Sequence, residues 1–316
     1  MKIFKDIKEV SFEVNTALTV GTFDGVHAAH KRIIDELLYI SKENNLRSLI
    51  VTFDPHPQEV LKNKFPEIKL LSTTEEKLKL FEESGVENLL LINFTKEFSN
   101  TPAEDFYKDW IIDGIGIKEL IIGYDHLFGK NREGDFTMLN ELANEFDFNV
   151  KRVEEIDIDG TAVSSTRIRN LLSVGEIVTA NRLLQYEYGF DDVVVEGDKV
   201  GRSIGFPTIN LKPVSDSKII PNDGIYCVRV LHQDKNFYGM MYIGKRPTLS
   251  KGEVNALEVN IFDFEENIYG EVVRIEFLKK LRSDVRFNSK EELIKQIERD
   301  KNNTKEFLIN NQLIKK

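Results

Sequence analysis

Two histidines, His27 and His30, stand three residues apart just after a short apolar run, Ala17–Val20, and a turn bearing Gly21 and Gly25. At that spacing they would project from one side of the first turn of a helix. A helix N-terminus offers unpaired N–H groups and the positive end of the dipole, so it suits an anion. Both imidazoles could then donate to the same polyphosphate, and the two glycines would let the backbone turn sharply and approach it closely. The pair could also bind a metal, although no other His/Cys cluster accompanies it, or serve as ordinary capping residues.

A second stretch with chemical potential is Gly197–Leu211, GDKVGRSIGFPTINL. Gly197, Gly201 and Gly205 surround Arg202, and Pro207-Thr208-Ile209-Asn210 follows. Such a loop can wrap phosphates with backbone N–H groups, and the Thr208 hydroxyl and Asn210 amide oxygen are hard ligands suited to Mg²⁺. The same composition also marks plain turns. Further on, Glu258 lies in the alternating strand Leu257–Ile261 and shares a face with Asn260. A carboxylate there could be catalytic or merely solvated.

The elements that must hold these residues follow from periodicity. Strands are expected at Ala17–Val20, Ser48–Phe53, Asn88–Asn93, Glu119–Gly123 and Asn149–Val153, alternating with helices at Lys31–Lys42, Thr74–Ser84, Ala103–Ile112 and Met138–Phe146. Thr73 and Thr74, before Glu75 and Glu76, read as an N-terminal cap. That alternation predicts an α/β domain with a parallel sheet and ligands beyond the carboxyl ends of its strands. Four polar segments follow strands and should gather at that edge: the histidine turn, TFDPHP (Thr52–Pro57), the loop Gly123–Asp135 with Asp125 and Arg132, and VSSTRIRNLL (Val163–Leu172). In the last, Ser164 or Ser165 would cap a helix carrying Arg167 and Arg169. Each segment taken alone could be only a turn or a capped helix start.

After a helical connector, 176–188, the chain becomes β-rich from Phe190 to about Leu281, which predicts a small antiparallel barrel or sandwich. Ser289 and Glu292 are spaced as the capping box of a final helix.

Composition sets the bounds. The 316 residues suit about two domains. The content, 41% hydrophobic and 30% charged, is that of a globular chain. A net charge of −10 without a basic tract argues against nucleic acid as the main partner. One cysteine, Cys227, fits a reducing compartment, and neither a signal peptide nor a membrane-spanning run is visible, so a cytoplasmic location is expected.

The phrase VGTFDGVHAAH resembles the G-x-F-D-G-x-H-x-G-H signature of the nucleotidylyltransferase superfamily, specifically the bacterial bifunctional riboflavin kinase/FAD synthetases. Ala29 stands where that signature has glycine. TFDPHP, GYDHLFGKNREGD and VSSTRIRNLL are similar to further segments of that family, with His126 in place of an aromatic residue. GRSIGFPTIN, YIGKRPTL (Tyr242–Leu249), ALEVNIFDFEENIYG and LRSDVRF resemble motifs of its kinase domain. The resemblance runs from Val20 to about Asp300. It implies a Rossmann-like FMN adenylyltransferase domain over 1–186 and a β-barrel riboflavin kinase domain with a C-terminal helix over 187–316.

The resemblance also implies the chemistry. Riboflavin and ATP would give FMN and ADP, then FMN and ATP would give FAD and pyrophosphate, with Mg²⁺ as cofactor and ATP as co-substrate. His27, His30, Arg169 and Glu258 would be catalytic, Glu258 as general base for the ribityl 5′-hydroxyl. Gly21, Phe23, Asp24, Asp125, Ser165, Thr166, Gly201, Arg202, Gly205 and Pro207 would bind nucleotide, and Thr208 and Asn210 the metal. An extra methyl at Ala29 would weaken adenylyl transfer, though a helical backbone there would accept alanine without strain. A monofunctional riboflavin kinase, a non-catalytic flavin-binding regulator and a nucleotidylyltransferase for another acceptor are the alternatives.

Overall fold

The structure, a computed structural model, describes residues 1–61, 68–130, 133–197, 200–247 and 253–315. The chain forms two compact units, Met1–Arg167 and Ile168–Lys316.

The first unit is built on a six-stranded sheet in the order β1-β4-β3-β2-β5-β6. Its strands are β1 (Lys2–Phe4), β2 (Thr16–Val20), β3 (Arg47–Asp54), β4 (Asn88–Asn93), β5 (Glu119–Gly123) and β6 (Asn149–Val153). All neighbours pair in parallel. The five expected strands are present, and β1 adds an edge that the charged sequence MKIFKD did not announce. Alternate residues serve two layers, which is why the strands read as unbroken apolar runs. Leu18, Val20, Leu49, Val51, Leu90 and Ile92 pack with Phe106, Ile111, Leu139 and Leu142 on one face. On the other, Ala17, Ile50, Leu89 and Ile121 pack with Ile34, Leu37, Ile40 and Phe81.

Those side chains come from α1 (Ala28–Glu43), α3 (Thr74–Glu83), a π-helical stretch Phe106–Ile115 that continues α4 (Ala103–Asp105), and α5 (Phe136–Phe146). A single turn, α2 (Pro57–Val60), follows β3. Thr73 caps α3 through a full capping box with Glu76. The chain steps outward from β2 to β3 and β4, then returns to β2's other side with β5. The strand order reverses between β2 and β5, and sheets of this kind bind ligands beyond the carboxyl ends of the strands at such a point.

A small hairpin, β7 (Asp157–Ile158) and β8 (Thr161–Ala162), precedes α6 (Ser165–Val174). Of the two serines proposed as its cap, Ser164 accepts the N–H of Arg167 (3.2 Å).

In the second unit six strands close into an antiparallel barrel, in the order β10-β13-β12-β11-β14-β9. They are β9 (Gly189–Val195), β10 (Ile209–Pro213), β11 (Gly224–His232), β12 (Lys235–Pro247), β13 (Glu253–Ile261) and β14 (Val272–Arg282). β10 was not expected as a strand; its pairing with β9 and β13 closes the barrel. Tyr226, Val228, Met241, Val259 and Phe277 are fully buried. The connector contains α7 (Ile177–Leu184), which packs on β14, and a single turn, α8 (Val200–Ser203), follows β9. The last helix, α9 (Lys290–Asn310), covers Cys227, Met240 and Leu278 with Leu308. Arg282 fixes it by a two-pronged ion pair with the buried Asp300 (3.1 and 2.9 Å). Ser289 caps α9 as expected, but Glu292 takes the N–H of Asn288 rather than closing a box on Ser289.

Candidate active sites

The turn between β2 and α1 is tightly wound. Phe23 (φ 51), Gly25 (φ 79) and Val26 (φ 35) all lie in the left-handed region. Non-glycine residues enter that region only when surrounding contacts hold them there. Those contacts are visible. The Phe23 ring is buried edge-on to both His30 (5.1 Å) and Phe81 (5.5 Å). Its folded-back position explains Gly21, where a Cβ would meet the ring at 2.9 Å. The Asp24 carboxylate is buried and accepts the N–H groups of Leu71 (3.0 Å) and Ser72 (3.1 Å). The Gly25 N–H in turn donates to Ser72 Oγ (3.0 Å). Phe23 and Asp24 were expected as nucleotide contacts; the structure turns both side chains inward, where they build the turn.

The turn delivers two imidazoles to the helix end. His27 is the N-cap of α1, its Nδ1 facing the His30 N–H at 3.4 Å. The two rings stack, with centroids 3.7 Å apart and planes 13° from parallel. Ala29 is the second residue of α1, half-buried, with helical backbone, so alanine brings no backbone strain.

The other expected residues fall on the segments after β5 and on α6. Ser165, at the start of α6, donates its hydroxyl to the Asp24 carbonyl (3.0 Å), tying the fourth segment to the first. Thr166 is exposed beside it, and Arg169 follows one turn along α6, just inside the second unit. Asp125 is exposed after β5, while Arg132 falls outside the described residues. His126 is held within its loop, stacked on Phe128 (5.2 Å) and 3.3 Å from the buried Tyr107 hydroxyl. Burial pulls its pKa down to about 4, so the ring is neutral at pH 7.

Sequence reasoning missed Lys77. This residue is buried on α3, and its ammonium donates to Phe53 O (3.0 Å), Thr52 Oγ1 (3.2 Å) and Thr22 O (3.3 Å). Burial pulls its pKa down to about 8, against the opposing pull of Asp24, Asp54 and Glu59. It borders a small cleft that is also lined by Thr22, Asp24, His56, Glu59 and Thr74. The signal was present: Lys77 and Phe81 are four apart on the helix face that meets the sheet.

The second constellation lies on the barrel. Asn210, Glu258 and Tyr242 are direct partners across β10, β13 and β12, so their side chains share a face. Thr208 Oγ1 donates to Glu258 Oε2 (3.2 Å), and the buried Asn260 donates to the Pro207 carbonyl (2.6 Å). Glu258 and Asn260 thus reach the same segment, as their shared strand face predicted. Tyr242 donates to Asp284 (3.2 Å); burial, with Asp284, raises its hydroxyl to about 12.

The glycines of the loop have separate reasons. A Cβ on Gly197 would strike the Asn210 amide at 2.1 Å, and one on Gly201 would strike Phe206 O at 2.3 Å. Gly205 has φ +87 and open space around it. Arg202 and Pro207 are exposed beside this loop. Residues 198–199 and 248–252, including part of the Tyr242–Leu249 segment, lie outside the described residues. Among the described residues no group of three His, Cys, Asp or Glu side chains could hold a metal by itself.

Comparison with known proteins separates the two constellations. Residues 10–167 match the FAD synthetase family and residues 184–308 the riboflavin kinase family. The chain is 34% identical to the bifunctional riboflavin kinase/FMN adenylyltransferase of Listeria monocytogenes, over 93% of each chain. It is 34% identical to that of Escherichia coli K12, over 97% of this chain and 98% of the other. The Bacillus subtilis protein of the same name is also 34% identical, covering 92% and 91%. A solved structure titled macrolide-efflux protein, from Streptococcus pneumoniae, superposes with a TM-score of 0.86 at 30% identity, covering 96% of this chain and 98% of that one. Among the described residues no helix is long and apolar enough to cross a membrane.

Proposed function

The chain belongs to the bifunctional riboflavin kinase/FMN adenylyltransferases, and on that premise we propose how its residues divide the two reactions. ATP is co-substrate of both, and riboflavin and FMN are the acceptors. Residues 1–186 carry the adenylyl transfer and 187–316 the kinase reaction, an assignment the matched segments support. The carrying observation is that each matched segment holds one polar constellation: stacked His27 and His30 in the first, Thr208 and Glu258 in the second.

In the first reaction an FMN phosphate oxygen bonds to the α-phosphorus of ATP while the bond to the β-phosphate oxygen breaks and pyrophosphate leaves. No acid–base chemistry at carbon is involved, so catalysis is positioning and neutralisation of charge. His27 and His30 donate to the phosphates from the N-terminus of α1, and Arg169 adds a fixed positive charge. Ser165 and Thr166 hold phosphate oxygens, and Asp125 faces the adenosine. Gly21, Phe23 and Asp24 act through the turn they shape, which presents its backbone to the nucleotide.

In the second reaction the Glu258 carboxylate takes the proton of the ribityl 5′-hydroxyl as that oxygen attacks the γ-phosphorus, and ADP leaves. Gly201, Arg202, Gly205 and Pro207 form the loop over the nucleotide phosphates. The donor set fits Mg²⁺: the Thr208 hydroxyl and the Asn210 amide are hard oxygen ligands beside a carboxylate, and such an ion takes its remaining ligands from phosphate and water. Bound there, Mg²⁺ would neutralise charge on the transferring phosphoryl group. The buried, unpaired Cys227 supports a reducing compartment, and we place the enzyme in the cytoplasm.

The test follows FMN and FAD by chromatography after adding ATP and Mg²⁺. His30→Ala should abolish FAD formation and spare FMN formation; Glu258→Gln should stop FMN formation and spare FAD formation from added FMN. A folded single variant losing both activities would overturn the two-site division.

A further inference from the structure

The buried Lys77 has no part in the mechanism above, yet it joins the histidine turn of the first site to the segment that follows β3. Thr22 O belongs to the histidine turn after β2, and Phe53 O to the TFDPHP segment at the end of β3. Thr52, the third acceptor, itself donates to Thr22 O (3.3 Å). A lysine ammonium has three hydrogens, and these three acceptors use all of them. The Asp24 and Gly25 bonds to Leu71 and Ser72 tie the same turn to the residues just before α3. The start of α3 therefore grips the histidine turn from two sides.

We propose that Lys77 is a positioning residue for adenylyl transfer, its ammonium locking the loops after β2 and β3 in the arrangement that aims His27 and His30. The proposal rests on the histidine turn being the adenylyl-transfer site. The left-handed Phe23 and Val26 show why a lock is needed, since neither residue favours that backbone unaided. A neutral amine has two hydrogens and cannot serve three acceptors, so the lock loosens as Lys77 deprotonates. The charged groups facing it are Asp24, Asp54 and Glu59, with His56 across the same cleft.

The experiment uses the full chain, with FMN and ATP as substrates, and compares Lys77→Met, Thr52→Val and His30→Ala. Lys77→Met should lower kcat for FAD by about 10- to 100-fold, the scale of a misplaced site. KM for FMN and ATP should stay within about threefold, and riboflavin phosphorylation should not change. Hydrogen exchange should quicken at residues 21–26 and not across β3–β5. The wild-type kcat should fall through pH 8, and Lys77→Met should lack that limb. Thr52→Val, which nearly keeps the volume and removes one Lys77 acceptor together with the hydroxyl bond to Thr22 O, should show the same effect more weakly.

Lys77→Met with wild-type kcat overturns the proposal. If that variant loses protection across the whole sheet, Thr52→Val decides: unchanged kcat and an unchanged alkaline limb overturn the lock. A fully active His30→Ala refutes the site itself, and the lock with it; an inactive His30→Ala beside an active Lys77→Met refutes the lock alone.

Discussion

Replacing Glu258 by glutamine isolates the step assigned to it, because so little else changes. The amide has nearly the carboxylate's volume and keeps an oxygen that Thr208 Oγ1, 3.2 Å from Oε2, can donate to. Exchanging a charged acceptor for a neutral one costs about 1 kcal/mol, which limits any rise in KM for ATP to about fivefold. Proton removal is lost altogether. General-base catalysis contributes about 100- to 10,000-fold, equivalent to about 2.7–5.4 kcal/mol of barrier. The assay is FMN formed from riboflavin and ATP, with FAD formed from added FMN as an internal control on the same preparation. The expected result is a kcat for FMN formation lowered by at least about 100-fold, with FAD formation unchanged. A kcat within tenfold of wild type would refute the base assignment and leave Glu258 as a holder of Thr208. A large rise in KM at constant kcat would point to binding alone.

Other perturbations test the first site. Asp24→Asn turns a charged acceptor of two backbone N–H groups into an amide, costing about 1.5–3 kcal/mol locally; adenylyl transfer should fall and riboflavin phosphorylation hold, as the two product rates will report. Ala29→Gly removes the methyl at the second position of α1; KM for ATP in FAD formation should fall by about fivefold or more, while the helix loses about 0.5–1 kcal/mol on thermal unfolding. The pKa of Lys77 is depressed on folding, so between pH 8 and the ordinary lysine range the unfolded chain holds more protons and stability rises with pH. Wild type should accordingly gain up to about 3 kcal/mol on Lys77→Met between pH 7 and 10.5, read by denaturant unfolding; a constant difference would show that Lys77 does not titrate there.

Most of the architecture was legible because burial on both faces of a parallel sheet writes itself as apolar runs. Ser48–Phe53 and Glu119–Gly123 could be little else. β1 and β10 were not legible, for different reasons. Lys2–Phe4 is a three-residue edge with one buried side chain, too short for periodicity to register. Ile209–Pro213 lies inside a glycine-proline segment whose composition announces a turn, and only closure of the barrel makes it a strand. The π-helical stretch at Phe106–Ile115 was read as an ordinary helix ending at Ile112, since apolar spacing is nearly the same in both.

The site was less legible than its motif suggested, because a motif does not say which letters face the ligand. In GTFDGVH, Gly21 exists for the Phe23 ring, Phe23 for the core, and Asp24 for the N–H groups of Leu71 and Ser72. His27 and the backbone are left at the helix end, with Thr22 lining the neighbouring cleft. The same holds on the barrel, where Gly197 makes room for Asn210, and Asn260 holds the Pro207 carbonyl so that Thr208 meets Glu258. Residues that build a turn and residues that use it are equally indispensable to it, so sequence patterns pool them. Lys77 is the converse case: it carries no motif and sits where an apolar residue would be expected. It ties both loops, and only its three acceptors reveal this.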